Sequence, residues 1–262
     1  GGTVGGTVAA GWEPVREAFA RNFAEGLEKT AQLVIRIEGV NVVDLWGASP
    51  SAVTTKGPMD GDTITNIFSS GKQIETAVMA LLVQRGLVAY NDAVCKHWPA
   101  FGQGGKDEIS VADVMRHEGG CPWFLNPDTC APGDSGTNPE DFVLVTPASL
   151  TDDPSGLDAA IESSPRVQSG DTTRTYHAMS RGCLVDGILR RVDPAGRGID
   201  RFVREEICEP LCVQPAIPLS LPLSLLRTVA FLSMAGSSRR FLSAQGRDGV
   251  PAVDRPRAAG QL

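Results

Sequence analysis

Between Leu33 and Leu82 the hydrophobic period changes once, from alternating to helical, and that change commits the chain to sheet and helix in separate stretches. Leu33-Val34-Ile35-Arg36-Ile37 and Val40-Asn41-Val42-Val43-Asp44-Leu45-Trp46 are rich in β-branched residues and read as two strands around a tight Glu38-Gly39 turn. Ile64, Ile67 and Phe68 end an extended approach. Ile74, Ala77, Val78, Leu81 and Leu82 then recur at helical spacing and mark an amphipathic helix with an inward face.

Ser69 therefore falls where an extended segment turns into a helix, with Lys72 three residues on and on the same face. This serine alone in the chain has a lysine three residues later. In such an S-x-x-K arrangement a lysine that loses its proton readily helps to activate a serine nucleophile, and the helix N-terminus adds positive charge where an alkoxide develops. Taken alone, the pattern equally fits a capping serine beside a solvated lysine.

At 262 residues the chain is long enough for one large core or two interlocked lobes. The net charge of -7 and the lack of a basic stripe before residue 210 argue against a nucleic-acid partner. The acidic excess lies in residues 1–210, whereas residues 211–262 are basic. Cys95, Cys121, Cys130, Cys183, Cys208 and Cys212 have irregular spacing without a C-x-x-C pair, which favours reduced thiols over a disulfide framework or a zinc site. No export signal is recognisable, so a cytoplasmic location is expected.

Residues 1–11, rich in Gly, Val, Ala and Thr, are expected to be disordered. Pro14 suits the first turn of a helix carrying Val15, Ala18, Phe19 and Phe23, and Gly26 suits its end. Ser110 and Asp113 have capping-box spacing and open a helix through Val111, Val114 and Met115 toward His117, with Gly119-Gly120 after it. The stretch from Cys121 to Gly156 is an irregular excursion, long enough to overhang a site. A short helix near 157–163, another after Tyr176 to Val192 and a third over about 199–207 follow. Three prolines and Arg227 count against a membrane helix after Cys212.

Ser69/Lys72 before one helix, His117-Glu118-Gly119-Gly120 after a later one and Tyr176 before a third occur in this order. Val43-Asp44-Leu45-Trp46-Gly47, Arg85-Gly86-Leu87 with Tyr90-Asn91-Asp92, Trp98-Pro99-Ala100-Phe101, Ile109-Ser110-Val111-Ala112-Asp113 and Glu205 to Leu211 lie before, between and after them. In this series, over roughly residues 11–211, the chain resembles the serine β-lactamase and penicillin-binding-protein superfamily, specifically the β-lactamase-related esterases near class C. The resemblance implies an α/β plus all-α two-lobe fold: a domain over 12–211 with its α/β part in 12–60 and its helical part in 61–211, then a low-complexity or aberrant tail over 212–262. It also implies hydrolysis of a small ester or amide through an acyl-serine intermediate. Ser69 would attack the carbonyl, Lys72 would sit within hydrogen-bond reach of its hydroxyl, and Tyr176 would relay the proton to the leaving group. The third polar residue of the family's tyrosine element is absent from Tyr176-His177-Ala178, which favours esters over β-lactams. His117 is expected to be structural and His97 a surface or packing residue. No metal or organic cofactor is implied.

The family's Lys/His-x-Gly element, which helps to form the oxyanion hole, has no counterpart after Tyr176. The resemblance then implies an α/β lobe truncated at its C-terminal side, with the hairpin lacking its neighbours and showing an open sheet edge. Two other readings stay open: a catalytically silent fragment that acts by binding, and a structural protein that self-associates. Oligomeric state is not legible.

Overall fold

The computed structural model describes residues 2–52, 58–63, 68–143, 154–167 and 174–211, which fall into two compact bodies, one ending at Thr63 and one beginning at Phe68. In the first body, strands β1 (Thr3–Val8), β2 (Thr30–Ile37) and β3 (Val40–Ala48) form an antiparallel sheet in the order β1-β3-β2. Helix α1 (Glu13–Ala24), with Pro14 in its first turn, covers one face. Phe19 and Phe23 pack edge to face at 5.3 Å and close over Val43 and Leu45. Of the residues expected on the inward stripe of α1, Ala18 is exposed. The β2–β3 turn has positive φ at both Glu38 (47°) and Gly39 (81°), the geometry whose twist matches the flanking strands.

Strand β1 overturns the expectation of a disordered N-terminus and of a hairpin without neighbours. Thr3 to Val8 pair with Ala48 to Val43, and Val4 and Val8 join the α1-covered core. Gly5 lies so close to Trp46 that a Cβ there would stand 2.3 Å from the indole. Composition marks this segment as flexible, but Thr3, Val4, Thr7 and Val8 suit a pleated surface and the glycine makes room for the tryptophan. Among the described residues the outer edge of β2 has no strand beside it.

The second body is helical: α2 (Lys72–Gln84), α3 (Val94–His97), α4 (Val111–Met115), α5 (Pro154–Ser163), α6 (Ser180–Val192) and α7 (Ile199–Val203), the last running into a π-helical turn over Arg204–Cys208. Val78, Leu82, Leu184, Ile188 and Phe202 are fully buried in its core. Of the residues expected to face inward on α2, Ile74, Val78 and Leu82 do so, whereas Ala77 is exposed and Leu81 half-buried. Trp98 lies flat on α6 because Gly187 leaves the space; its indole N–H donates to Glu162 at 2.5 Å, and the Arg191 guanidinium stacks 3.9 Å from the ring. The capping box forms: Asp113 N–H donates to Ser110 Oγ at 3.1 Å, and Ser110 N–H to the Asp113 carboxylate at 2.9 Å. Helix α4 stops at Met115, because His117 takes the left-handed conformation (φ 64°).

The extended approach read at Ile64 and Ile67 and the tail from Cys212 lie outside the described residues. Cys95, Cys121, Cys130, Cys183 and Cys208 are free thiols. Among the described residues no helix is long and apolar enough to cross a membrane.

Candidate active site

Ser69 sits in a single 3-10 turn, Phe68–Gly71, that leads directly into α2. Phe68 belongs to this turn rather than to an extended approach, and its φ of 45° is unusual for a bulky residue. Such backbone costs about 1–3 kcal/mol and persists only where the surroundings impose it. Phe68, next to the serine, is 73% exposed.

The three residues singled out in the sequence meet here, with a different order of contacts from the one expected. The Tyr176 hydroxyl donates to Ser69 Oγ at 2.6 Å. Lys72 Nζ donates to the Ala178 carbonyl at 2.6 Å and stands 5.1 Å from the centre of the Tyr176 ring. The tyrosine thus takes the place beside the serine hydroxyl that the S-x-x-K spacing suggests for the lysine. The Tyr176 phenol is held below its ordinary pKa, first by the hydrogen bond to Ser69 and then by Lys72, against the opposing effect of burial.

Tyr176 is fixed from behind by two histidines. His117 Nδ1 accepts from the His177 backbone N–H at 3.0 Å, and the His117 carbonyl accepts from Thr175 N–H at 3.0 Å. The His117 ring lies 4.9 Å from that of Tyr176. His177 is wholly buried; Nε2 accepts from Cys121 N–H at 3.0 Å, so Nδ1 carries the proton and donates to the Thr175 carbonyl at 2.5 Å. Both imidazoles are used as neutral groups. Burial is the largest cause of the lowered pKa of each, and that of His117 falls to about 4. Ser180, the first residue of α6, donates to the Cys121 and Pro122 carbonyls at 2.5 and 3.0 Å and completes the seam. His97 is a half-buried partner of Asp92, at 2.8 Å.

Two further residues were not legible in the sequence. Glu75, one turn after Lys72 on α2, is buried and faces Arg181 of α6, with Arg181 Nε 3.5 Å from the carboxylate. Arg181 also donates to the Thr76 hydroxyl at 2.9 Å. Burial raises the Glu75 pKa against the pull of Arg181 and Lys72, and burial lowers that of Arg181. A charged residue on an otherwise inward helical face was the available signal; its partner, 106 positions away, had none. Among the described residues no cluster of three or more His, Cys, Asp or Glu side chains is arranged to hold a metal ion.

The β-lactamase family model covers residues 19–252. The esterase/β-lactamase LipL of Mycobacterium tuberculosis is 32% identical over 200 residues, 75% of this chain and 41% of LipL. A penicillin-binding-protein homologue from Caulobacter crescentus superposes with a TM-score of 0.62 at 32% identity, over 82% of this chain and 53% of that one. A family VIII carboxylesterase superposes equally well, with a TM-score of 0.62 at 28% identity, over 79% and 51%. The chain spans about half the length of these relatives. With the family model matched over most of its length, the chain belongs to the β-lactamase family.

Proposed function

We propose that the chain hydrolyses a small ester or amide through an acyl intermediate on Ser69. The observation that carries this reading is the 2.6 Å contact between the Tyr176 hydroxyl and Ser69 Oγ, with the Lys72 ammonium 5.1 Å from the same ring. When the phenol is ionised that contact reverses, and the phenolate accepts the serine proton as Oγ bonds to the substrate carbonyl carbon. Collapse of the tetrahedral species breaks the bond to the leaving group, which departs with the proton held by Tyr176. Water then attacks the acyl-serine, returns a proton to Ser69 through the same tyrosine and releases the acid. Lys72 favours the phenolate by its charge, and its own bond to Ala178 O keeps it in place. The relatives named as esterase and carboxylesterase support an ester as the substrate.

A chromogenic p-nitrophenyl ester tests this reading. A burst of nitrophenol close to one per chain, absent in Ser69→Ala, is the expected result. A burst unchanged by that substitution contradicts it. Absence of both a burst and steady ester turnover favours the silent-fragment reading.

A further inference from the structure

The mechanism above leaves Glu75 and Arg181 unused, although they are a buried pair of opposite charges on the two helices that carry Lys72 and follow Tyr176. Glu75 is 3% and Arg181 5% exposed, and they meet at 3.5 Å without a hydrogen bond between Nε and Oε2. Their position is what matters. Glu75 follows Lys72 by one helical turn, and Arg181 follows Tyr176 by five residues at the start of α6, anchored to Thr76. We propose that Glu75 and Arg181 are positioning residues whose opposed charges balance the field at the Tyr176 hydroxyl, leaving Lys72 as the uncompensated charge that acts on it. This role rests on the acyl-transfer reading, because only there does the protonation of the phenol matter.

A packing role alone does not require charge at either position, whereas field balance requires both signs. The other ionisable groups around the phenol do not take over this function. Lys72 comes from α2, and neutral His117 follows α4. His177 adjoins the tyrosine and is neutral, and Arg174 is paired with Glu118 at 2.6 Å. Removing the carboxylate leaves Lys72 and Arg181 without the buried negative charge that both of them attract. Removing the guanidinium leaves a buried carboxylate that opposes Lys72.

The chain has two tyrosines, so in a Tyr90→Phe background the tyrosinate absorbance reports Tyr176 alone. In that background Glu75→Gln is expected to give roughly threefold to tenfold more phenolate at a fixed alkaline pH, and Arg181→Gln to give less by a similar factor. Arg181→Lys, which keeps the charge but loses the planar fork, is expected to stay near the parent. Far-ultraviolet circular dichroism restricts the reading to folded protein, and either single charge removal that folds is sufficient for the test. Coincident titrations in the charge-removed and parent proteins would overturn the proposal. So would a change in Arg181→Lys as large as in Arg181→Gln. The titration needs no turnover, so a lost ester burst with shifted titrations sinks the hydrolase reading alone, and an intact burst with unmoved titrations sinks only this one.

Discussion

At the level of single residues, the proposed mechanism asks more of the Tyr176 hydroxyl than of the lysine whose spacing first marks the site. Its oxygen touches Ser69, while Lys72 donates to a backbone carbonyl and lowers the phenol's pKa by hydrogen bonding and by its charge. Tyr176→Phe removes the proton relay and leaves the ring, its stacking on His117 and the backbone seam in place. A properly positioned general acid–base contributes about 100-fold to 10,000-fold, so this variant should lose kcat/KM by that order with KM changed little. Steady-state kinetics on the p-nitrophenyl ester checks it, and an unaltered kcat would remove Tyr176 from the mechanism.

At the level of elements, α6 has to satisfy two neighbours. Its first turn carries Ser180 and Arg181 into the site, and its middle passes Trp98 at Gly187. A Cβ at position 187 would lie 2.3 Å from the Trp98 ring, which is itself fully buried and tied to Glu162 and Arg191. Gly187→Ala gains about 1 kcal/mol of helix propensity but overpacks the core by about 1–3 kcal/mol, so the net effect is destabilising. A lowered Tm with the helical signal retained is the expected outcome; a raised Tm would show that Trp98 moves aside freely.

The same scale shows what was readable in the sequence. Helix α2, the β2–β3 turn and the Ser110 cap were legible because each is written in residues within a few positions of one another. Strand β1 was not, since its order comes from pairing with β3 about 40 residues away and from Trp46 needing the bare surface of Gly5. Ser69, Lys72 and Tyr176 could be named from spacing and family resemblance, but not the exchange of partners that sets tyrosine against serine. The His117–His177 seam and the Glu75–Arg181 pair depend on α2, α4 and α6 converging, which no local pattern encodes.

For the whole molecule, the buried groups set a pH window. His117 and His177 have folded-state pKa values below the ordinary 6.5, so the unfolded chain takes up their protons first as pH falls. Their contribution is therefore whole above about pH 6.5 and is lost progressively toward about pH 4. Asp141, lowered to about 2 by the Thr137 and Asn138 backbone N–H groups, adds stability that is present above 3.8 and lost as pH falls further. The carboxyls of Glu75 and Asp186, raised by burial, act in the opposite sense. A series of thermal melts should show a Tm steady near neutrality that falls between pH 6.5 and 4, and a His117→Gln chain should lose less of its Tm across that interval; an equal loss would mean that His117 is not held neutral.

The claim on which the site depends is that Ser69 takes the acyl group. Brief incubation with an activated ester, acid quenching and mass spectrometry of the peptide spanning Phe68 to Lys72 measure it directly. The account predicts one acyl adduct, on the Ser69 hydroxyl, that accumulates in the wild-type chain and disappears in Ser69→Ala. An adduct on Ser70 or elsewhere, or ester hydrolysis that persists undiminished in Ser69→Ala, would contradict it.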